Sequence, residues 1–237
     1  AAGCPIIVKP AEQTPLSALA LGELAVRAGV PAGVINILTA DSTNSIEIGK
    51  VLCDSPVVRH LSFTGSNEVG RILMSQCAPT VKKVALELGG HAPFIVFEDA
   101  DIDAAVTGAM FAKYRNAGQA CVAANRFYVH KKVHDQFVEK FALATKAIKV
   151  GSGLEQGVTQ GPLIDDQALA KVQKHIADAI SKGAKVVTGG KVANQGGTFF
   201  EPTVLANANN SMLVAYEETF GPVAPVIPFE SDEEVVK

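Results

Sequence analysis

The chain has 237 residues, with 24 acidic and 21 basic side chains and a formal net charge of −3. Because no basic stripe is available to neutralise phosphates, this charge pattern argues against a nucleic-acid partner. The longest uncharged run, residues 202–216, is rich in Asn and too short for a membrane span, so we expect no membrane role either.

Composition and cysteine use indicate a packed protein from a reducing compartment. Hydrophobic residues make up 48% of the chain, which is ample for one large domain or two modest ones. The four cysteines, at positions 4, 53, 77 and 121, lack metal-ligand spacing, and a core of this size needs no disulfide. We therefore expect no metal site.

The first part of the chain alternates strand-like and helix-like segments, which is typical of a parallel α/β sheet with crossover helices. The pattern predicts, in order, a strand at 6–8, a helix at 16–28, a strand at 34–38, a helix near 45–52, a strand at 60–63, a helix after Ser66 and a strand at 81–86. The pair Gly89-Gly90 interrupts it. We place a domain boundary there, with one domain at 1–89 and a second α/β domain at 90–237.

The alternation restarts after the glycine pair. It predicts a strand at 94–97, a helix at 102–114, a loop around Cys121, a strand at 126–130, a helix at 133–148, a looser glycine-rich segment at 151–161, a helix at 167–182, a strand at 185–188, and extended runs near 199–205 and 223–229. His134 and His175 fall within helical patterns, and we interpret both as surface residues.

Two residues carry the candidate chemistry. Cys121 is set among Gly, Ala and Asn between a predicted helix and a predicted strand, which suits a nucleophile. The alternative is an inert buried thiol, the usual state of free cysteine. Glu87 stands between two leucines and before Gly89-Gly90, where burial would raise its pKa and suit a general base. The alternative is a strand-end Glu that faces solvent.

Several motifs support the chemical interpretation together. They are KPAEQTP at 9–15, FTGS at 63–66, LELGG at 86–90, GQACVAANR at 118–126 and EETFGP at 217–222. In their order and spacing the chain resembles the aldehyde dehydrogenase superfamily over essentially its whole length. The segments HAPFIVFEDADID at 91–103, KYRNAGQ at 113–119 and ADAISKGAKVVTGGK at 177–191 are similar to succinate-semialdehyde dehydrogenases. The resemblance implies a central fragment of such an enzyme, with a partial Rossmann-like cofactor domain followed by an incomplete catalytic domain.

This resemblance implies NAD(P)-dependent oxidation of an aldehyde, and specifically of succinate semialdehyde to succinate in 4-aminobutyrate degradation. A Cys121 thiolate would form a thiohemiacetal and then a thioester, which water activated by Glu87 would hydrolyse. A free thiol with a pKa near ~8.5 is mostly protonated at neutral pH, so Glu87 is also the expected proton acceptor. The backbone N–H of Cys121 is a candidate oxyanion donor. Arg115 matches a substrate-contacting arginine, the alternative being a helix-end arginine that caps carbonyls.

The family also implies where the cofactor binds. Lys9 and Glu12 match positions at the adenosine ribose, and a carboxylate there favours NAD over NADP. The run GSNEVG at 65–70 follows a strand and opens a helix, so it can receive a pyrophosphate, although by itself it is an ordinary strand-to-helix turn. The other positions that the resemblance assigns to the cofactor are Gly65, Ser66, Gly70, Leu88, Glu218 and Phe220.

The resemblance sets the remaining expectations. Glu87 and Cys121 would face each other across an interdomain cleft, where ligands usually bind. The partner is a small-molecule aldehyde, the full-length enzyme is a homodimer or homotetramer, and its location is the cytoplasm or the mitochondrial matrix. The alternatives are an aldehyde dehydrogenase of other substrate range and a catalytically inert truncated fragment. A cysteine hydrolase is disfavoured, because none of the five histidines belongs to a recognisable signature of that class.

Overall fold

The computed structural model describes residues 3–236. It divides the chain into two compact units, of which the first ends at Leu88 and the second begins at Gly89. This junction lies next to the glycine pair at which we placed the domain boundary. Within residues 3–236, no helix combines the length and the apolar character needed to cross a membrane.

The first unit holds four strands as two separate parallel pairs. Its elements are β1 (Ile6–Val8), α1 (Leu16–Arg27), β2 (Ile35–Ile37), α2 (Ser42–Asp54), β3 (His60–Thr64), α3 (Asn67–Cys77) and β4 (Lys83–Glu87). Strand β1 pairs with β2, and β3 pairs with β4. The parallel direction and the crossover helices are confirmed. The grouping of these four strands into two pairs was not predicted, because periodicity identifies strands without identifying their neighbours.

Local side-chain chemistry explains where two of these helices begin. The Asp41 carboxylate accepts a hydrogen bond from the Asn44 N–H, and the Ser66 hydroxyl accepts one from the Val69 N–H. Each bond satisfies a backbone donor that the first helical turn leaves without a partner. The ends of α2 and α3 are therefore specified locally by a capping residue.

A small core joins α2 and α3. It contains Cys53, Leu61 and Cys77, and the two sulfur atoms lie 3.5 Å apart. Burial, with the hydrogen bond from Cys77, raises the pKa of the Cys53 thiol to about 11. The Cys53 thiol is thus kept protonated as a packing group and is a poor nucleophile at neutral pH.

The second unit is built on a five-stranded sheet with the order β5-β6-β9-β8-β7. Its elements are β5 (Ala92–Val96), α4 (Ile102–Tyr114), β6 (Ala124–His130), α5 (Lys131–Lys146), α6 (Asp166–Ser181), β7 (Lys185–Thr188), β8 (Thr203–Ala206), α7 (Leu213–Tyr216), β9 (Val223–Phe229) and α8 (Asp232–Val236). All pairings are parallel except that between β7 and β8. The predicted helix at 102–114 and the predicted strands at 185–188 and 223–229 are confirmed.

Helices cover both faces of this sheet. Val204 and Val226 pack in one buried cluster with residues of α4 and α5, whereas the adjacent Leu205 and Ile227 pack in a second cluster with residues of α6 and α7. Successive residues of a strand point to opposite faces, so each of these strands is apolar on both sides. The result is a three-layer arrangement in which loops at the strand ends are left to carry function.

Candidate functional site

The loop that carries Cys121 follows directly from the end of α4. Asn116 and Ala117 have φ values of 54° and 57°, a left-handed conformation that is unfavourable for side chains with a Cβ atom. Gly118 follows with φ 72°, and a Cβ atom there would lie 2.2 Å from the Gly221 carbonyl oxygen. Only glycine fits at this approach, so the backbone path into Cys121 is fixed by its packing.

Gln119 ties this loop to a distant segment. Its side-chain carbonyl accepts a hydrogen bond of 2.8 Å from the Ile164 N–H, and its amide donates to the Pro162 carbonyl at 3.3 Å. The Ala123 N–H then donates to the Ala120 carbonyl, which closes a tight turn with Cys121 and Val122 at its centre. The thiol of Cys121 is partly exposed at this turn, unlike the buried thiols of the first unit.

A cavity of about 210 Å³ lies beside the turn. Its lining comes from the last turn of α4, from the residue that follows this helix and from both sides of Cys121, namely Phe111, Ala112, Arg115, Ala120, Val122 and Ala123. The Arg115 guanidinium lies over the Phe111 ring, 5.7 Å from its centroid, an arrangement that holds the cation by its attraction to the ring face. The structure therefore brings Arg115 and the Cys121 turn to one cavity, and the alternative of an arginine that caps the carbonyls of α4 has no hydrogen bond to support it among the described residues.

Glu218 is anchored near the same loop. Its Oε1 accepts a hydrogen bond of 3.2 Å from the Gly90 N–H, across 128 residues of sequence. A Cβ atom at Gly90 would lie 2.5 Å from the Cys121 carbonyl oxygen, so the backbones of Gly90 and Cys121 are in close contact. Phe220, two residues on, is partly exposed and has φ 53°. Glu218 and the main chain of Cys121 thus share Gly90 as a neighbour.

A buried polar pair, Lys113 and Asn125, packs next to this loop and was not predicted from the sequence. Lys113 on α4 is completely buried, and its Nζ donates to Asn125 Oδ1 at 3.2 Å. The Asn125 amide donates in turn to the Gly90 carbonyl at 3.3 Å. One signal was available: the helical spacing places Lys113 on the same stripe as Val106 and Ala109, which are apolar and buried.

The surface interpretation of the two helical histidines is wrong. His134 is 5% exposed and His175 is 1% exposed. His175 Nδ1 lies 3.1 Å from the Thr219 hydroxyl, and its Nε2 lies 3.4 Å from Glu217 Oε2. Burial lowers the pKa of His175, so a neutral imidazole fills this position in the α6 core. Helical periodicity alone does not show which polar residues find partners and are buried.

In the first unit, Glu87 is the last residue of β4. Its side chain is exposed among the residues of this unit, as in the solvent-facing alternative. The Glu87 carbonyl accepts a hydrogen bond of 3.0 Å from the Gly65 N–H, so the ends of β3 and β4 are joined at the glycine. Glu87 and Cys121 lie in different units, and their encounter stays a prediction.

The segment between β3 and α3 is the turn that we predict to receive the cofactor pyrophosphate. Ser66 caps α3, and the first turn of that helix is exposed at Ser66 and Asn67. Gly70 is buried against Leu88, since a Cβ atom at Gly70 would lie 2.6 Å from the Leu88 side chain. Gly70 and Leu88 therefore fix the packing of α3 on the end of β4, while Gly65 and Ser66 form the exposed turn.

Lys9 and Glu12 meet in the first unit. Lys9 Nζ lies 3.4 Å from Glu12 Oε2 and donates to the Ser45 hydroxyl at 3.2 Å. A backbone hydrogen bond lowers the pKa of Glu12, and the Lys9 charge adds to this effect. A cavity of about 290 Å³ beside them is lined by residues 10–12, Pro15 and residues 39–41.

This second cavity is where we predict the adenosine end of a nicotinamide cofactor. It lies where β1 and β2 end, and the carboxyl edge of parallel strands is the usual place for a nucleotide. The ionised Glu12 supplies an acceptor for ribose hydroxyls. No group of His, Cys, Asp or Glu side chains in residues 3–236 could hold a metal ion. The Glu12 carboxylate and a cavity at the ends of two parallel strands are the features of this unit that fit an organic cofactor.

Comparison with known proteins places these features in a family context. The sequence model described as "Aldehyde dehydrogenase family" matches residues 1–237. A glutarate-semialdehyde dehydrogenase of Pseudomonas aeruginosa is 58% identical over 236 residues, and a 3-sulfolactaldehyde dehydrogenase of Pseudomonas putida is 56% identical over 237. A succinate-semialdehyde dehydrogenase of Escherichia coli, named for NADP⁺, is 57% identical over 236. The chain is covered completely in each case and spans 48% of each relative.

Solved structures give the same result. A crystal structure of an aldehyde dehydrogenase from Brucella melitensis biovar abortus is 60% identical and superposes with a TM-score of 0.96. The match covers 99% of this chain and 48% of that one. The folds of the two described units are therefore also present in a larger protein of known structure.

Proposed function

The chain belongs to the aldehyde dehydrogenase family. We propose that it oxidises an aldehyde with a remote anionic group when it forms part of a protein of the relatives' full length. Succinate semialdehyde is the substrate we select. One observation carries the proposal: the partly exposed Cys121 lies on a packed turn whose flanking residues share a cavity with the Arg115 guanidinium. A nucleophile and an anion-binding group are thus available to the two ends of one small molecule.

The covalent step is assigned to Cys121. Its thiolate adds to the aldehyde carbon, and we assign the backbone N–H of Cys121 as a donor to the developing oxyanion. A nicotinamide cofactor, when bound in its oxidised form, would supply the acceptor for the hydride that leaves this carbon. Cys121 is then left as a thioester of the acid. The tight turn from Ala120 to Ala123 supports this role, because it holds the nucleophile without relying on a flexible loop.

Glu87 is assigned to the proton transfers. It accepts the thiol proton before attack, releases this proton to solvent, and then, again as a carboxylate, removes a proton from the water that hydrolyses the thioester. Its position as the exposed last residue of β4 supports access to water. Lys9, Glu12, Gly65, Ser66, Gly70 and Leu88 would hold the cofactor from the first unit, and Glu218 and Phe220 would contact it from the second.

The anionic end of the substrate is assigned to Arg115. The three relatives are named for glutarate semialdehyde, 3-sulfolactaldehyde and succinate semialdehyde, each of which carries a carboxylate or a sulfonate. A guanidinium offers a planar pair of donors that matches either group. An aldehyde dehydrogenase of other substrate range is the second candidate, favoured by the exposed apolar Phe111 and Val122 in the same cavity.

Arg115→Ala in the full-length protein should raise the KM for succinate semialdehyde by about 10- to 100-fold, since hydrogen bonds to charged groups contribute about 1.5–3 kcal/mol. The KM for butanal, which has no carboxylate, should change less than about threefold. Steady-state kinetics with both aldehydes give the comparison. Arg27→Ala, which removes an exposed arginine paired with Glu23, is the matched control and should leave both values unchanged. Equal losses for both aldehydes would favour the second candidate.

NAD should be used more efficiently than NADP, by about tenfold in kcat/KM. The ionised Glu12 repels a 2′-phosphate; at ~4 Å and an effective dielectric of ~20 the repulsion is about 4 kcal/mol, and Lys9 offsets part of it. A remainder of about 1.4 kcal/mol corresponds to tenfold. Glu12→Gln should narrow the preference, whereas Glu23→Gln should not. The Escherichia coli relative is named for NADP⁺, so the comparison is worth making. Equal kcat/KM with NAD and NADP would contradict the assignment of Glu12.

A further inference from the structure

We propose that Lys113 is a positioning residue for the cofactor: through Asn125 and Gly90 it orients the Glu218 carboxylate. The inference rests on the proposed function, because it assumes that Glu218 contacts the cofactor. Lys113 lines neither of the two cavities, and packing does not explain a lysine in an otherwise apolar part of α4.

The burial of the Lys113 ammonium group is unfavourable in free energy. Its side chain is completely buried, its hydrogen bond goes to a neutral amide, and it makes no ion pair among residues 3–236. Burial lowers its pKa to about 7, which measures how strongly this site disfavours the ammonium. Replacement of buried charges by apolar side chains of similar volume is often neutral or stabilising. A methionine would therefore serve stability at least as well, and the reason for a lysine has to be sought elsewhere.

The hydrogen bonds from Lys113 lead in one direction. Lys113 Nζ donates to Asn125 Oδ1, Asn125 Nδ2 donates to the Gly90 carbonyl, and the Gly90 N–H donates to Glu218 Oε1. A protonated lysine has donors and no acceptor, so it determines which end of the Asn125 amide faces Gly90. With the lysine removed, Asn125 Oδ1 loses this donor, so the amide keeps its hydrogen bond to the Gly90 carbonyl but is held less firmly.

Gly90 is the point at which this chain of bonds reaches the site. Its carbonyl accepts a hydrogen bond from Asn125, its N–H donates to Glu218, and its Cα packs against the Cys121 carbonyl. Glu218 also acts directly on Lys113, since its negative charge favours the ammonium form. Loss of the Lys113 donor should consequently loosen Glu218 first, and the backbone of Cys121 to a smaller degree because that contact is steric.

The test uses Lys113→Met in the full-length protein, with thermal unfolding, isothermal titration of cofactor and steady-state kinetics. We expect a Tm equal to or above that of the wild type, a Kd and a KM for the cofactor raised about tenfold, and a kcat reduced less than threefold. Asn125→Ala should reproduce the cofactor effect, and the double variant should be no weaker than either single variant, because both remove the same relay. Lys146→Met, which replaces an exposed lysine of α5, is the control and should behave as wild type.

Two results would overturn the proposal. Wild-type cofactor affinity in Lys113→Met would show that no relay operates. If the Tm of Lys113→Met falls and its kinetic losses follow the unfolded fraction, the lysine is structural. The cofactor Kd of Asn125→Ala then tests the relay independently. If the wild-type protein neither binds a nicotinamide cofactor nor oxidises an aldehyde, the proposed function itself fails and the inference falls with it. These outcomes are distinguished by measuring the wild type first.

Discussion

Cys121→Ala in the full-length protein should reduce aldehyde oxidation by at least about 10⁴-fold, because the covalent route disappears when its nucleophile is removed. The fold should survive, since Cys121 is partly exposed on a turn that is held by backbone hydrogen bonds and by Gln119. Oxidation is followed by the formation of reduced cofactor, and circular dichroism and Tm report the fold.

A mass measurement separates this result from a general loss of activity. After incubation with aldehyde and oxidised cofactor, the wild type should carry an acyl adduct on Cys121, and Cys121→Ala should carry none. Cys4→Ala, which alters an exposed cysteine of the first unit, is the matched control and should keep both adduct and turnover. Turnover near the wild-type rate in Cys121→Ala would rule out the covalent mechanism. A folded wild type without adduct would indicate the catalytically inert alternative.

Glu87→Gln should slow steady-state turnover by about 10²- to 10⁴-fold, the usual contribution of a general base. The amide cannot take a proton from water, so thioester hydrolysis should be affected more than acylation. We expect a rapid burst of reduced cofactor of about one equivalent per active site, followed by a slow phase, and an acyl adduct that persists on Cys121. Stopped-flow absorbance and intact-mass spectrometry give the two observations.

The control for this variant is Glu139→Gln, an exposed glutamate on α5, which should show wild-type turnover. A Glu87→Gln protein with neither burst nor slow phase would mean that Glu87 acts chiefly in activating the thiol. Unchanged turnover would remove Glu87 from the reaction altogether. Both results would also bear on the predicted encounter of Glu87 with Cys121, which depends on how the two units meet.

Several elements were predictable because their signals are local. Helix α4 begins after Asp101, whose carboxylate accepts from two N–H groups of the first turn, and its bounds match the prediction. Strand β9 is an apolar run buried on both faces, and its bounds match as well. The loop that carries Cys121 was placed correctly between α4 and β6 because Gly and Asn mark a break in periodicity. The family was recognisable from motifs without any coordinates.

Other features depended on residues far apart in the chain. Which strands bury each other's edges decides the antiparallel pairing of β7 with β8 and the sheet order β5-β6-β9-β8-β7. Helix α7 is a single turn and has too few residues for a periodic signal. His175 was misjudged because its partners, Thr219 and Glu217, lie more than forty residues away. Periodicity reports the character of a helix face and not the partners that it meets.

Contiguous motifs and patterns that repeat every two to four residues were sufficient to predict the family, the candidate nucleophile and base, and most helices and strands. Three features became visible only in the folded chain: Arg115 and the Cys121 turn share a cavity, Lys9 pairs with Glu12, and Lys113 is buried at the start of a chain of hydrogen bonds to Glu218. Such a chain cannot be read from local patterns, because a polar group is buried where it finds a partner, and Glu218, the partner of the Gly90 N–H, lies 128 residues away in sequence.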